Sequence, residues 1–295
     1  MTDLRDMQLL AALARHRHFA RAAEECGISQ PAFSARIRNM EARFEVPIVK
    51  RGNRFIGFTT EGEIVLKWAR QLLSDAEGLS QDIQAAKGAL SGRLVIGAVP
   101  TAITFAATSA QRLRARHPEL VVELYSATSS EVWRGLEEFT LDAGITYFET
   151  GLPKSLETEV LYEERYVLLV PKDLAPRKKG SVTWKEAAAL PLCLLTRNMR
   201  NRRILDETFA EVGAKPNLVM ETDAFTAALT QVELGAAATI APQSLAKSLP
   251  FASELAQLPL VEPEVAKPIC LAVADRKPAP PAVIALTEVL RSQKA

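Results

Sequence analysis

The chain has 295 residues, 48% of them hydrophobic and 24% charged, with a formal net charge of +1. That length and apolar content suit two or three folded domains and exclude a disordered chain. The longest apolar runs fall short of the ~18–20 residues a membrane-spanning helix needs. Charge is uneven: residues 1–60 hold ten Lys/Arg against six acids, a net of +4, and the remainder carries −3. A basic head on a mildly acidic body suits a polyanion-binding module joined to something else. Cys26, Cys193 and Cys270 are far apart and sit in apolar contexts. They read as buried thiols of a reducing compartment, not as a disulfide or zinc framework, with a redox-sensing cysteine left open as the alternative. The opening Met-Thr-Asp-Leu-Arg-Asp-Met-Gln has no apolar signal-peptide region, so a cytoplasmic protein is expected.

Leu4, Met7, Leu10, Ala11 and Ala14 mark a first helix that ends in the basic corner Arg15 to His18. No further ligand lies near His16 and His18, so a solvated corner close to phosphate is the better reading than a metal site. Two short helical patterns then meet at Gly27, a residue suited to a left-handed turn. Ala22, Ala23 and Cys26 edge the first, and Phe33, Ile37 and Met40 edge the second. Ser29 is placed to cap the second helix, and Pro31 sits just inside its start, where a missing N–H costs nothing. This is a helix-turn-helix pattern, although an ordinary helical hairpin would look alike. Next, Val46–Val49 and 54–58 flank Gly52-Asn53, turn residues that tolerate positive φ. With Lys50, Arg51 and Arg54 around it, the turn reads as a β-wing able to lie along phosphates.

Thr60-Glu61-Gly62-Glu63 is a capping-box signature. Val65, Ala69, Leu72, Ala76, Leu79, Ile83, Ala86 and Leu90 follow at alternating spacings of four and three, a heptad seam on a helix ~40 Å long. A stripe this narrow calls for a partner, and the same helix of a second copy fits best. Gly88 and Ser91-Gly92 break the helix and serve as a hinge. From Arg93 strand and helix patterns alternate, which signals an α/β domain with a mainly parallel sheet. Two lobes fit the order, with chain crossings near Tyr162–Arg165 and Ala266–Ile269. The spacing predicts a winged helix-turn-helix domain over 1–59, a coiled-coil linker helix over 60–90 and an effector-binding domain over 92–295. Within the last, lobe I takes 92–162 and 268–295, and lobe II takes 163–267. A bilobed module of this kind binds small ligands in its cleft.

Ala22-Ala23-Glu24, Ile28-Ser29-Gln30-Pro31-Ala32-Phe33-Ser34, Ile37-Arg38 and Glu41 resemble the helix-turn-helix signature of LysR-type bacterial transcriptional regulators. Val46 to Arg51, Thr59 to Glu63 and Leu141 to Ile145 are similar to that family's wing, linker entry and first-lobe strand. The resemblance runs over essentially the whole length and is most specific at the N-terminus. It departs at Glu45, where a glycine is usual, at Met40 and Phe44, where leucines are common, and at 172–175, where a His-Pro-Leu-Ala segment is frequent. The wording is also similar to regulators associated with formate dehydrogenase operons, although no residue here reads formate chemically.

The resemblance implies an α/β body behind a winged helix-turn-helix head, with a periplasmic-binding-protein-like effector domain. Gln30, Pro31, Ser34 and Arg38 would then face the major groove. Gln30 can pair bidentately with adenine, Pro31 can touch a thymine methyl, and Arg38 can reach guanine or phosphate. Ser29, Arg36, Arg51 and Arg54 would be backbone or minor-groove contacts. Three segments would line the effector cleft: Pro100-Thr101, Thr128-Ser129 and Thr196-Arg197-Asn198, holding a small carboxylate or other anion with Arg197 as charge partner. Ser and Thr at helix starts are equally caps, and Arg197 is equally a surface residue. No cofactor beyond such an effector is implied. Expected partners are double-stranded operator DNA, a second copy (a homodimer or a dimer of dimers) and RNA polymerase. The competing classes are a bilobed α/β enzyme and a solute-binding module. Against an enzyme, there are three histidines, two of them in the head, and no nucleophile elbow, phosphate loop or dinucleotide fingerprint.

Overall fold

A computed structural model describes residues 3–50, 52, 55–175, 180–248 and 255–293. The chain divides into two compact units, the first covering Met1–Gly92 with Glu138–Thr140 and the second covering Arg93–Glu137 with Leu141–Ala295.

In the first unit, α1 (Leu4–His16), α2 (Phe19–Glu25), α3 (Gln30–Phe44) and α4 (Thr60–Ala86) follow the sequence pattern closely. Their apolar edges converge on one core of Met7, Leu10, Leu13, Ala22, Ala23, Phe33, Ile37, Met40, Leu66 and Ala69. Phe19 stacks edge-on against Phe33 and Phe55, each at 6.0 Å. Gly27 takes φ +66°, the left-handed position that lets α2 turn into α3. Glu45 occupies the same kind of position at the end of α3, with φ 58°. A side chain there costs about 1–2 kcal/mol relative to the right-handed region, which is why glycine is the usual residue. Glu45→Gly is therefore expected to stabilise the head by about 0.5–1 kcal/mol, part of the gain being lost to the freer unfolded chain. Chemical denaturation of the two proteins checks this, and a destabilisation would refute it.

The two wing strands are shorter than the sequence suggests. Among the described residues one antiparallel bridge joins Val49 to Phe58, supported by a hydrogen bond from Lys50 N to Gly57 O at 2.9 Å. The reason is local. Pro47 has no N–H, and the buried Glu41 carboxylate takes the N–H groups of Ile48 and Val49 at 3.0 and 3.2 Å. Those donors cannot also build a ladder. Arg51 and Arg54 lie outside the described residues.

The α4 stripe is two stripes. Gly62, Leu66 and Ala69 are buried against the head's own core. Ile64, Trp68, Leu72, Leu79 and Ile83 are exposed on another face. The heptad seam read from sequence merges them: Ala69 belongs to the core, and Leu90 lies beyond the helix, which ends at Ala86.

The second unit contains β1 (Gly92–Ala98), α5 (Ile103–Arg116), β2 (Leu120–Ser126), α6 (Ser129–Glu137), β3 (Ala143–Tyr147) and β4 (Leu156–Val170). It continues with β5 (Val182–Thr183), α7 (Trp184–Ala188), β6 (Leu192–Leu195), α8 (Arg200–Glu211), β7 (Leu218–Thr222) and α9 (Phe225–Glu233). The last elements are β8 (Thr239–Pro242), α10 (Gln243–Ser248), β9 (Ala256–Val261), β10 (Ala266–Ala274) and α11 (Pro281–Arg291). The main sheet runs β2-β1-β3-β10-β4-β9-β5, with β8 also on β4, and β6-β7 form a second sheet.

The mainly parallel sheet expected from the alternation is corrected to a mixed one. β1–β3, β5–β9 and β6–β7 are parallel, but β10 is antiparallel to β3 and β4, and β4 is antiparallel to β8 and β9. The cause is topological. β4 carries the chain from lobe I into lobe II as one fifteen-residue strand, and β10 brings it back alongside. Arg165 pairs with Ala266 and Tyr162 with Ile269, so the two predicted crossings are hydrogen-bonded neighbours in a single ribbon.

Candidate nucleic-acid interface and effector site

On α3, Phe33, Ile37, Met40 and Glu41 are buried. Gln30, Pro31 and Arg38 are exposed and Ser34 is half-buried, and the spacing 30, 34, 38 makes one edge beside the buried one. Ser29 caps the helix by accepting from Ala32 N at 3.4 Å. Arg36 is held in ion pairs: its Nε meets Asp6 Oδ1 at 3.0 Å and its terminal nitrogen meets Asp3 Oδ2 at 3.2 Å, so it clamps α3 to α1. Arg43 reinforces the clamp through Asp6 Oδ2 at 2.7 Å. Asp6 is buried, and sequence reading missed it; an acid beside Met7 on the inward face of α1 was the signal. The basic corner is also partly spent, because Arg15 and His16 both hold Glu25, at 2.5 and 2.6 Å. These two contacts hold the Glu25 carboxyl below its usual range.

In the second unit the predicted cleft residues separate into groups. Thr128 and Ser129 are buried but committed. Glu131 folds back to accept from Thr128 N and Thr128 Oγ1, both at 2.8 Å, and Ser129 Oγ accepts from Thr146 Oγ1 at 3.0 Å. The chain's own carboxylate thus fills the start of α6, and those hydrogen bonds keep Glu131 in its ionised form. Thr196 opens the turn before α8 with its Oγ1 buried and unpartnered, while Arg197 and Asn198 are exposed in that turn. Pro100 is buried in the turn after β1.

Thr101 leads to a polar cluster the sequence did not disclose. Its Oγ1 lies 3.2 Å from the Tyr147 hydroxyl, which donates to Glu164 Oε1; Thr101 is therefore the donor to Tyr147. Asn201 Nδ2 approaches the same hydroxyl at 3.5 Å from the first turn of α8. Thr101, Tyr147, Glu164, Tyr166 and Asn201 are all nearly inaccessible to solvent. Thr101 and Tyr147 come from lobe I, Asn201 from lobe II, and Glu164 and Tyr166 from the hinge strand β4. Burial raises the Glu164 carboxyl to about 7, against the hydrogen bonds that favour its ionised form. Beneath α8, Arg202 is buried and gives hydrogen bonds to Leu195 O at 2.8 Å, Glu221 at 2.6 Å and Asp206 at 2.8 Å. It fixes the start of α8, and with it Asn201, against β6 and β7. Cys193 and Cys270 are buried thiols, Cys270 pushed up to about 12 by burial, so neither is poised as a thiolate.

With this geometry in place, the comparisons are informative. Residues 4–63 match the model of the bacterial regulatory helix-turn-helix protein, lysR family, and residues 87–295 match the LysR substrate binding domain. The chain belongs to the LysR family. It is a LysR-type transcriptional regulator with a DNA-binding head and an effector-binding body, and not an enzyme. It is 28% identical over 249 residues to the HTH-type transcriptional regulator AlsR of Bacillus subtilis, covering 83% of this chain and 82% of that one. It is 26% identical over 279 residues to the hydrogen peroxide-inducible genes activator of Haemophilus influenzae, covering 94% and 92%. A full-length OxyR from Pseudomonas aeruginosa, a cysteine-to-aspartate variant, shares the fold with a TM-score of 0.78 at 23% identity, over 99% of this chain and 95% of that one. Full-length CbnR in complex with its target DNA gives 0.70 at 24% identity over the whole of both chains. These relatives lend no support to a link with formate dehydrogenase operons. Among the described residues, no helix is long and apolar enough to cross a membrane.

Proposed function

We propose that this LysR-type chain reads a two-fold operator with paired α3 helices and adjusts that reading when a small polar molecule occupies the cleft between its lobes. The observation that carries the DNA side is the outer edge of α3: Gln30, Pro31 and Arg38 are exposed, with half-buried Ser34 between them, along an edge that flanks the buried Phe33 and Ile37. Gln30 is the base reader, Pro31 and Ser34 flank it, and Arg38 reaches guanine or phosphate. Arg51 and Arg54 add backbone or minor-groove contacts from the wing. The exposed Ile64, Trp68, Leu72, Leu79 and Ile83 give α4 an apolar face for a second copy, which would present two reading helices to two half-sites. Pairing of such dimers into tetramers and contact with RNA polymerase complete the reading.

The cleft reading rests on Thr101, Asn201 and Thr196, contributed by both lobes around the hinge strand. A ligand touching both lobes shifts their closure, and that population shift is the signal. Gln30→Ala is expected to cost about 1–3 kcal/mol of discrimination between operator and scrambled DNA. Fluorescence titration against both duplexes at fixed salt measures it. Equal weakening on the two would mean that Gln30 reads no base.

A further inference from the structure

The buried cluster on the hinge strand is acidic and aromatic. Glu164 is nearly inaccessible to solvent; its Oε1 accepts from Tyr147, and its Oε2 is buried together with the hydroxyl of neighbouring Tyr166. Asn201 Oδ1, Thr196 Oγ1 and the hydroxyls of Tyr162 and Tyr166 are also buried without a hydrogen-bond partner, the three hydroxyls able to donate as well as accept. Tyr147, Tyr162 and Tyr166 surround the carboxyl, and the Phe105 ring lies 4.9 Å from that of Tyr162. Each of these tyrosines is held in its neutral form by burial. The one basic residue opposite Glu164 is Lys267, its register partner on β10. Among the described contacts Lys267 makes no ion pair with it, and Arg197 stays exposed in its turn. Unpaired buried acceptors are costly, and a buried carboxyl without a cation is costlier still. Aromatic rings add attraction for a positive charge.

We infer that the effector carries a protonated amine or guanidine-type group, received by the Glu164 carboxylate with Asn201 Oδ1 and Thr196 Oγ1 as further acceptors. This rests on the cleft being the effector site, and it replaces Arg197 as the charge partner with a residue of opposite sign. It also reverses the expected ligand charge at this subsite. The α6 start, the second place expected to hold an anion, is already filled by Glu131. Binding draws on the ionised form of Glu164. A carboxyl titrating near 7 is about one-tenth ionised at pH 6 and about nine-tenths at pH 8, so affinity rises about tenfold between them. The tyrosines stay neutral across that range, so Glu164 sets the slope.

The test uses the full chain with methylguanidinium and ethylammonium chloride as probes, against sodium propionate and sodium chloride at matched ionic strength. Both organic cations are expected to raise the melting temperature of the native protein, with binding about tenfold weaker at pH 6 than at pH 8. Glu164→Gln, which keeps the shape, should melt normally in sodium chloride and lose the cation effect. Lys267→Met should leave the effect intact. Equal cation effects in the native protein and Glu164→Gln would overturn the inference, as would no cation effect at all. So would a Glu164 carboxyl titrating in the ordinary range in the native protein and rising in Lys267→Met, since Lys267 would then be its partner. Stabilisation by propionate alone, abolished in Thr101→Val, would overturn the cationic class while retaining the cleft as the effector site. Stabilisation that survives in both Thr101→Val and Glu164→Gln would count against the cleft itself.

Discussion

Gly62→Ala is expected to collapse operator binding while leaving the effector unit folded. Gly62 stands in the first turn of α4, where its N–H donates to Thr59 Oγ1 at 2.9 Å. A Cβ at this position would overlap the backbone carbonyl oxygen of Ile48 and press on Thr59 Oγ1 at 3.1 Å. Ile48 cannot step aside, because its oxygen accepts from Thr59 N at 3.0 Å and its N–H is held by Glu41. Thr59 Oγ1 further ties this turn to Pro47 O at 2.5 Å. A methyl forced into such a packed junction costs about 3 kcal/mol or somewhat more, the upper end of overpacking, because the neighbour is backbone and has no rotamer to change. The junction seats the base of the wing against the start of α4. Its opening should therefore melt the head first. Amide exchange of residues 46–66 and operator titration of the same protein measure both consequences. A head protected as in the native protein, with operator affinity within about twofold, would refute the expectation.

Trp184→Ala should be the most damaging single change in lobe II, costing about 3–5 kcal/mol. Trp184 begins α7, is completely buried and meets the Phe209 ring edge-on at 5.3 Å. Its Nε1 donates to Pro263 O at 2.9 Å. Truncation leaves a void between α7 and α8 and strips that carbonyl of its donor. Trp184→Phe should cost less, since most of the packing remains and one hydrogen bond goes, about 1–2 kcal/mol. Chemical denaturation of the three proteins provides the comparison; a loss below about 1 kcal/mol for the alanine variant would contradict the packing argument. Because Phe209 sits on the helix that presents Asn201, the alanine variant should also loosen the effector floor.

Much of the head was legible in the sequence because its signals are local. Gly27, Ser29 and Pro31 act within a few residues, and Phe33, Ile37 and Met40 repeat at helix period, so one reading places turn, cap and core. The same local logic gave α5, α11 and the crossings at Tyr162–Arg165 and Ala266–Ile269. It failed where partners are distant in sequence. Residues 156–165 contain five charged side chains and read poorly as a strand, yet β10 pairs with them along their length. Arg36 read as a backbone contact or an exposed helix face, and its ion pairs with Asp3 and Asp6 of the α1 region were not visible in sequence. The α4 seam looked single because period alone cannot say which apolar edge faces its own core and which faces away.

The sequence by itself determined that a basic helix-turn-helix head precedes a long amphipathic helix and a bilobed α/β body, since periodicity, capping and turn chemistry are written in neighbouring residues. It also singled out Gln30, Pro31, Ser34 and Arg38, whose spacing of three to four puts them on one edge whatever the rest of the chain does. Only the tertiary structure brought the buried polar cluster together. Thr101, Tyr147, Glu164 and Asn201 are spread over a hundred residues, one turn and three elements, and each alone is an ordinary cap, core aromatic, hinge acid or helix-start amide. Their meeting depends on β4 and β10 crossing as one ribbon. That crossing buries Glu164 at the centre of the cluster, while Arg197 stays exposed in its turn.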